Sequence, residues 1–162
     1  MSPETSTKIH AYEAVTREFL PRLAAASSED AVYAAAVDAL HGLPHFDWTG
    51  VYVLSRPGTL TLGPYRGAPT DHVEIPVGRG ICGQSAARDE TVLVEDVGIE
   101  ANYLACSIDT KSEIVVPIRV RGSYRAQIDV DSHTAAAFDA VDRSALEDLA
   151  ERMARRIEAL GA

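Results

Sequence analysis

The sequence predicts an α+β fold, a single antiparallel sheet with helices packed on it. Three observations carry this. Apolar residues recur every three or four positions from Ile9 to Leu40, a period-two pattern takes over from Asp47 to Asp131, and a helical stripe returns from Leu146. The strands between are joined by tight turns, and such short connections force antiparallel pairing.

The elements follow in order. Residues 1–8 carry no apolar period and are expected to be frayed. Ile9, Tyr12, Val15, Phe19 and Leu23 line one face of a first helix, in which Pro21 predicts a kink or an early stop. Ser27 or Ser28 can cap a second helix with Glu29 and Asp30 in its first turn, ending near Gly42. Asp47 to Leu54 is rich in strand formers, and Arg56-Pro57-Gly58 turns it into a second strand, Thr59 to Leu62. A third strand is expected at His72 to Ile75. The glycine-rich turn Gly78 to Gly83 then leads into a short helix at about Gln84 to Arg88, followed by a brief strand at Thr91 to Val94. Residues 95–112 form a long polar connection, of a length that is uncommon without a function. Strands at Glu113 to Val120 and Tyr124 to Asp131 follow, joined at Arg121-Gly122-Ser123. Asp139 caps a last helix with the stripe Leu146, Leu149, Met153, Ile157 and Leu160. No repeat or linker interrupts the 162 residues, which read as a single domain.

Composition narrows the function. Hydrophobic residues make up 46% of the chain, enough for a sizeable core, and a net charge of −9 argues against a general binder of nucleic acid or anionic membrane. Arg119, Arg121 and Arg125 leave room for a local basic patch. No apolar run is long enough to span a membrane, and the polar start Met1-Ser2-Pro3-Glu4-Thr5 lacks a signal-peptide core, so a cytoplasmic protein is expected. Two cysteines in a reducing compartment serve better for transient redox chemistry or for burial than as a structural staple.

The candidate chemistry centres on those cysteines. Cys82 lies in Gly80-Ile81-Cys82-Gly83, directly before a predicted helix, where backbone N–H groups and the helix dipole favour a thiolate. Cys106 lies in the long connection. The pair suits an attacking and a resolving thiol, although buried cysteine more often acts as a small hydrophobe. In Arg125 to Ser132, Gln127, Asp129 and Asp131 share one face, with the two aspartates roughly 6.5 Å apart along the strand. A solvated outer face explains that pattern, but strand interiors disfavour Asp. A pocket for a cationic or zwitterionic ligand explains it too, with crowding making one carboxyl a proton donor. Glu113, opening the preceding strand, can join them. Trp48 and Tyr52 share a face of the first strand with Gly50 and suit either core packing or one wall of a small-molecule site. Gly78-x-Gly80-x-x-Gly83 matches a dinucleotide fingerprint in letters only, lacking a βαβ unit. The histidines show no metal-ligand spacing with the cysteines, so neither a metal nor a bound cofactor is expected.

Taken together, these segments resemble the free methionine-(R)-sulfoxide reductases, enzymes of the GAF fold. The resemblance covers roughly residues 45–150. It rests on Asp47 to Tyr52, Leu62 to Gly67, Ile75 to Gly83, Glu95-Asp96-Val97, Ala105-Cys106, Ser112 to Pro117 and Ile128 to Ser132, and on a spacing of 24 between the cysteines (106 − 82). It implies a GAF-like central antiparallel sheet with flanking N- and C-terminal helices. It also implies an L-methionine (R)-S-oxide reductase, an oxidoreductase acting on a sulfur group with a disulfide as acceptor. Cys106 would attack the sulfoxide and become a sulfenic acid, Cys82 would close a disulfide on it, and a thioredoxin-type reductant would reopen the bond. Glu113, Asp129 and Asp131 would hold the substrate and protonate its oxygen, and Trp48 and Tyr52 would wall its methyl end. A homodimer is a further expectation. The chain departs from the family at His72, where members commonly carry a third cysteine. It departs also at Tyr103-Leu104-Ala105-Cys106-Ser107, usually His-Ile-Ala-Cys-Asp, and at Ala126, usually glycine. GAF domains host many functions, so a stand-alone small-molecule or redox sensor without catalysis is the competing reading.

Overall fold

The computed structural model describes residues 1–100 and 109–161. The first helix, α1, runs over Pro3–Ala25, and α2 over Glu29–Leu40. The sheet strands are β1 (Trp48–Arg56), β2 (Thr59–Arg66), β3 (Glu74–Pro76), β4 (Val92–Val94), β5 (Ser112–Val120) and β6 (Ser123–Ser132). Helix α3 (Gly80–Arg88) follows β3, and α4 (Ala140–Ala159) follows β6. All pairings are antiparallel, in the order β3-β2-β1-β6-β5-β4. This is the α+β arrangement expected from the strand-turn pattern. No helix among the described residues is long and apolar enough to cross a membrane.

Both sheet faces are covered. On one face Val51, Ile114, Val116, Ile118, Ile128 and Val130 pack with apolar residues of α1, α2 and α4, including Phe19, Leu40, Leu146 and Met153. On the other face Trp48, Tyr52, Val94 and Val115 meet Ile81 and Cys82 of α3. The candidate site lies in this second layer.

Several boundaries differ from expectation for local reasons. The start of the chain is helical, because the Ser2 hydroxyl caps Thr5 N–H, Pro3 occupies the first turn, and Lys8 Nζ reaches Asp139 and Asp142 at 3.1 and 2.5 Å. Helix α1 passes through Pro21 because that residue is exposed while Phe19 and Leu23, on the core side, stay buried. Strand β2 extends past Leu62 to Arg66: Gly50 faces Tyr65 and Tyr52 faces Leu62, so Gly63-Pro64 bulges opposite the single residue Val51 and the proline escapes the ladder. Strand β3 starts late because 70–73 forms a turn, with His72 N–H donating to Thr70 Oγ1 and Val73 N–H to Asp71 O. Helix α3 starts early, at Gly80, which puts Cys82 inside its first turn rather than before it. Asp139 caps α4 as expected and forms a capping box with Asp142. The basic trio is not an open patch. Arg125 makes a two-pronged bond to Glu29, and Arg119 one to Asp89, so two of the three charges are already matched.

Candidate active site

The pocket follows from strand register. On β6, Asp129 faces Gly50 of β1 and Val115 of β5; Asp131 faces Trp48 and Glu113. The period-two alternation therefore puts Glu113, Asp129, Asp131, Trp48 and Tyr52 on one sheet face, beneath α3. The reading of a solvated acidic face does not hold: Asp129 is 0% exposed, Asp131 1% and Glu113 2%.

Cys82 is held against these acids by backbone close approach. A Cβ on Gly83 would lie 2.7 Å from Pro76 O and 2.9 Å from Gly78 N, so only glycine lets the first turn of α3 sit this deep. Gln127 Nε2 donates to Cys82 O at 3.1 Å and to Tyr124 Oη at 2.7 Å, tying the helix to β6. The Cys82 thiol then lies 4.0 Å from Glu113 Oε2. Single ligand atoms of Cys82, Glu113 and Asp129 all fall within 4.8 Å of one another.

Burial sets the electrostatics. The Glu113 carboxyl is held well above the usual carboxylate range by desolvation first, then by repulsion from Asp129 and Asp131. Asp129 is also raised by desolvation, moderated by the nearby Glu113 carboxyl and Cys82 thiol. By ordinary hydrogen-bond geometry, Glu113 Oε1 and both Asp129 oxygens lack a partner among the described residues. Neither residue forms an ion pair there. A carboxyl so placed holds its proton more tightly than a solvated one and can give it up to an acceptor that enters the pocket.

The aromatic wall is built with equal economy of space. Trp48 stacks on Tyr52 at 6.2 Å and on Tyr65 at 5.5 Å between ring centroids. Its Nε1–H donates to Ala68 O at 3.0 Å, and the Tyr52 hydroxyl donates to His72 O at 2.8 Å. A Cβ on Gly50 would meet the indole at 2.4 Å, and one on Gly67, at φ +124°, would meet it at 2.7 Å.

The chain matches the GAF domain family model over residues 26–158. It is 33% identical to the free methionine-R-sulfoxide reductase of Escherichia coli over 147 residues, covering 90% of this chain and 88% of the relative. The chain belongs to the free methionine-R-sulfoxide reductase family of GAF domains. Solved structures agree. The Neisseria meningitidis free methionine-R-sulfoxide reductase, in complex with its substrate, superposes with a TM-score of 0.89 at 32% identity, covering 99% of this chain and 94% of that one. The reduced form of the Staphylococcus aureus protein gives 0.84 at 28% identity, covering 90% and 94%.

Of the residues singled out from sequence, six converge on this family's sheet face: Cys82, Glu113, Asp129, Asp131, Trp48 and Tyr52. Cys106 lies outside the described residues. The sequence alone gives Tyr65 and Arg79 no site role and marks His72 only as a departure from the family. Tyr65 stacks on Trp48, and the other two line a cavity of about 10 Å³ with Cys82, Glu113 and Asp129. The bulge at Gly63-Pro64 hid Tyr65 by shifting its phase, and nothing local in the sequence marks Arg79. A far larger hollow of about 480 Å³, between α1 and the start of α4, is lined by none of these six.

Proposed function

We propose that the protein reduces free L-methionine (R)-sulfoxide to methionine with thiols as the electron source. The observation that carries this reading is the set of three buried carboxyls packed against a thiol and walled by stacked aromatics. A zwitterionic amino acid matches that pocket: its ammonium seeks carboxylates, its apolar end seeks aromatic faces, and its sulfoxide oxygen needs a proton. Peptide-bound sulfoxide lacks the free ammonium and is excluded. The cavity beside Cys82 is far smaller than an amino acid, so substrate entry requires it to widen.

In the proposed cycle, Cys106 attacks the sulfoxide sulfur while a carboxyl of the Glu113–Asp129–Asp131 set protonates the oxygen. The oxygen passes to Cys106, which is oxidised by two electrons to a sulfenic acid as methionine leaves. The Cys82 thiol then displaces that oxygen as water and forms a Cys82–Cys106 disulfide. A thioredoxin-type dithiol reduces the disulfide and restores both thiols. Cys82 lies in the first turn of α3, whose N-terminal N–H groups favour the thiolate this step requires.

The test uses the purified protein, dithiothreitol and the separate epimers of free methionine sulfoxide. Methionine should form from the (R) epimer only, and Cys106→Ser should abolish it. Absence of (R) turnover, or a Cys106→Ser variant as active as wild type, overturns the proposal in favour of a sensor. With one equivalent of substrate and no reductant, both thiols should vanish from a thiol titration. Persistence of the Cys82 thiol removes it from the resolving role.

A further inference from the structure

The donor set beside α3 has a second chemical meaning. We propose that Cys82, Glu113 and Asp129 form a reversible binding site for a thiophilic divalent cation of the zinc type, which competes with substrate for the same carboxyls. The binding claim stands apart from the reductase reading, and only its inhibitory consequence rests on it.

Geometry supplies the first argument. A tetrahedral zinc ion bound by sulfur at about 2.3 Å and oxygen at about 2.1 Å sets those two atoms about 3.6 Å apart. Cys82 Sγ and Glu113 Oε2 are 4.0 Å apart, so a shift of a few tenths of an ångström makes the pair chelating. The Asp129 oxygen falls within 4.8 Å of both. One thiolate and two carboxylates leave a fourth position for water, the arrangement of an open zinc site.

The surroundings supply the second. Asp129 is fully buried, neither of its oxygens has a hydrogen-bond partner among the described residues, and it lines the cavity shared with Cys82, Glu113, His72 and Arg79. That cavity, about 10 Å³, is near the smallest that holds one water, so a single ion needs less widening of it than the amino-acid substrate does. Oxygen acceptors left without donors inside a protein are costly, and a cation satisfies all of them at once. The thiolate biases selection toward soft or borderline metals and away from magnesium and calcium, which prefer all-oxygen shells. His72 lines the same cavity.

Three ligands from α3, β5 and β6 span 48 positions (129 − 82 + 1), a separation at which no local spacing betrays a metal site. Because carboxyls and thiol must shed protons to coordinate, affinity should fall as pH is lowered.

The experiment adds Co²⁺ anaerobically to the reduced, chelator-treated full chain and follows the near-ultraviolet thiolate-to-cobalt band. A band that saturates at one equivalent and is removed by Zn²⁺ is expected. It should persist in Cys106→Ser, disappear in Cys82→Ser, and need at least about tenfold more metal in Asp129→Asn. No band in wild type, loss in Cys106→Ser, or unchanged affinity in Asp129→Asn overturns the site. Circular dichroism spectra of all three variants identify any that fail to fold, and the Asp129→Asn titration decides alone if Cys82→Ser does. Because the band is read without turnover, a failed metal site and a failed reductase assignment give different results.

Discussion

Replacing Glu113 with glutamine should stabilise the fold while removing turnover. Glu113 sits directly opposite Asp131 on the β5–β6 ladder, is 2% exposed, and has a carboxyl oxygen within 4.8 Å of one on Asp129. At 4.8 Å two full charges repel by about 3 kcal/mol at an effective dielectric of about 20. Desolvation acts in the same direction and is the larger cause. The folded protein therefore keeps a proton that the unfolded chain releases above 4.5. Nothing is lost below that value; stability falls as pH rises from it toward the raised folded value, and the full cost applies above. Glutamine has no proton to lose and keeps the shape of the side chain. The gain should be about 3 kcal/mol at about pH 7.5 and below about 1 kcal/mol at about pH 5. For a chain of this size that raises the melting temperature by about 6–12 °C near neutrality. Thermal unfolding of both proteins at the two pH values, followed by circular dichroism, measures it. A variant destabilised equally at both values would mean that Glu113 is favourably bonded as a charge, refuting the reasoning.

Other perturbations test other parts of the structure. Gly50→Ala places a Cβ 2.4 Å from the Trp48 ring and 2.9 Å from Tyr65 Cβ. The indole must swing out, which should cost about 1–3 kcal/mol and raise KM for the sulfoxide about tenfold; an unchanged KM argues against an aromatic wall on the substrate. Lys8→Met keeps the apolar stem but leaves Asp142, 4% exposed in its side chain, without its cation. The partial exposure of Lys8 limits the expected loss to about 2 kcal/mol in urea unfolding, with kcat unchanged. An unaltered midpoint would show that the Tyr12 hydroxyl, 2.8 Å from Asp142 Oδ1, suffices.

What could be read in advance followed physical range. The helices with a stripe and a cap, α2 and α4, were legible because both signals are local. So was the acidic face of β6, since alternation fixes which side chains share a side, but not whether that side meets water. Its burial depends on α3, docked through Gly83 against Pro76 and Gly78, a contact between backbones that leaves no pattern in side-chain chemistry. The extension of β2 was concealed because a bulge absorbs Pro64, and the order at the N-terminus was concealed because Lys8 is held by residues more than 130 positions away. The partners that gather around Cys82 share this limit: each is an ordinary residue in its own segment.

The tie between Lys8 and Asp142 also orders events in time. At about 5–20 residues per second, a ribosome needs roughly 7–27 s to add the 134 residues that separate the two. During that interval α1 has α2 to lie against but not its ionic anchor. The central strand β1 can pair with β2 at once, yet its other edge, which seats Trp48 opposite Asp131 and Gly50 opposite Asp129, waits for β6. The nascent chain thus carries an unfilled strand edge until late in synthesis, and the acidic pocket is among the last features to close. A chaperone that holds apolar strand edges has its window of use there.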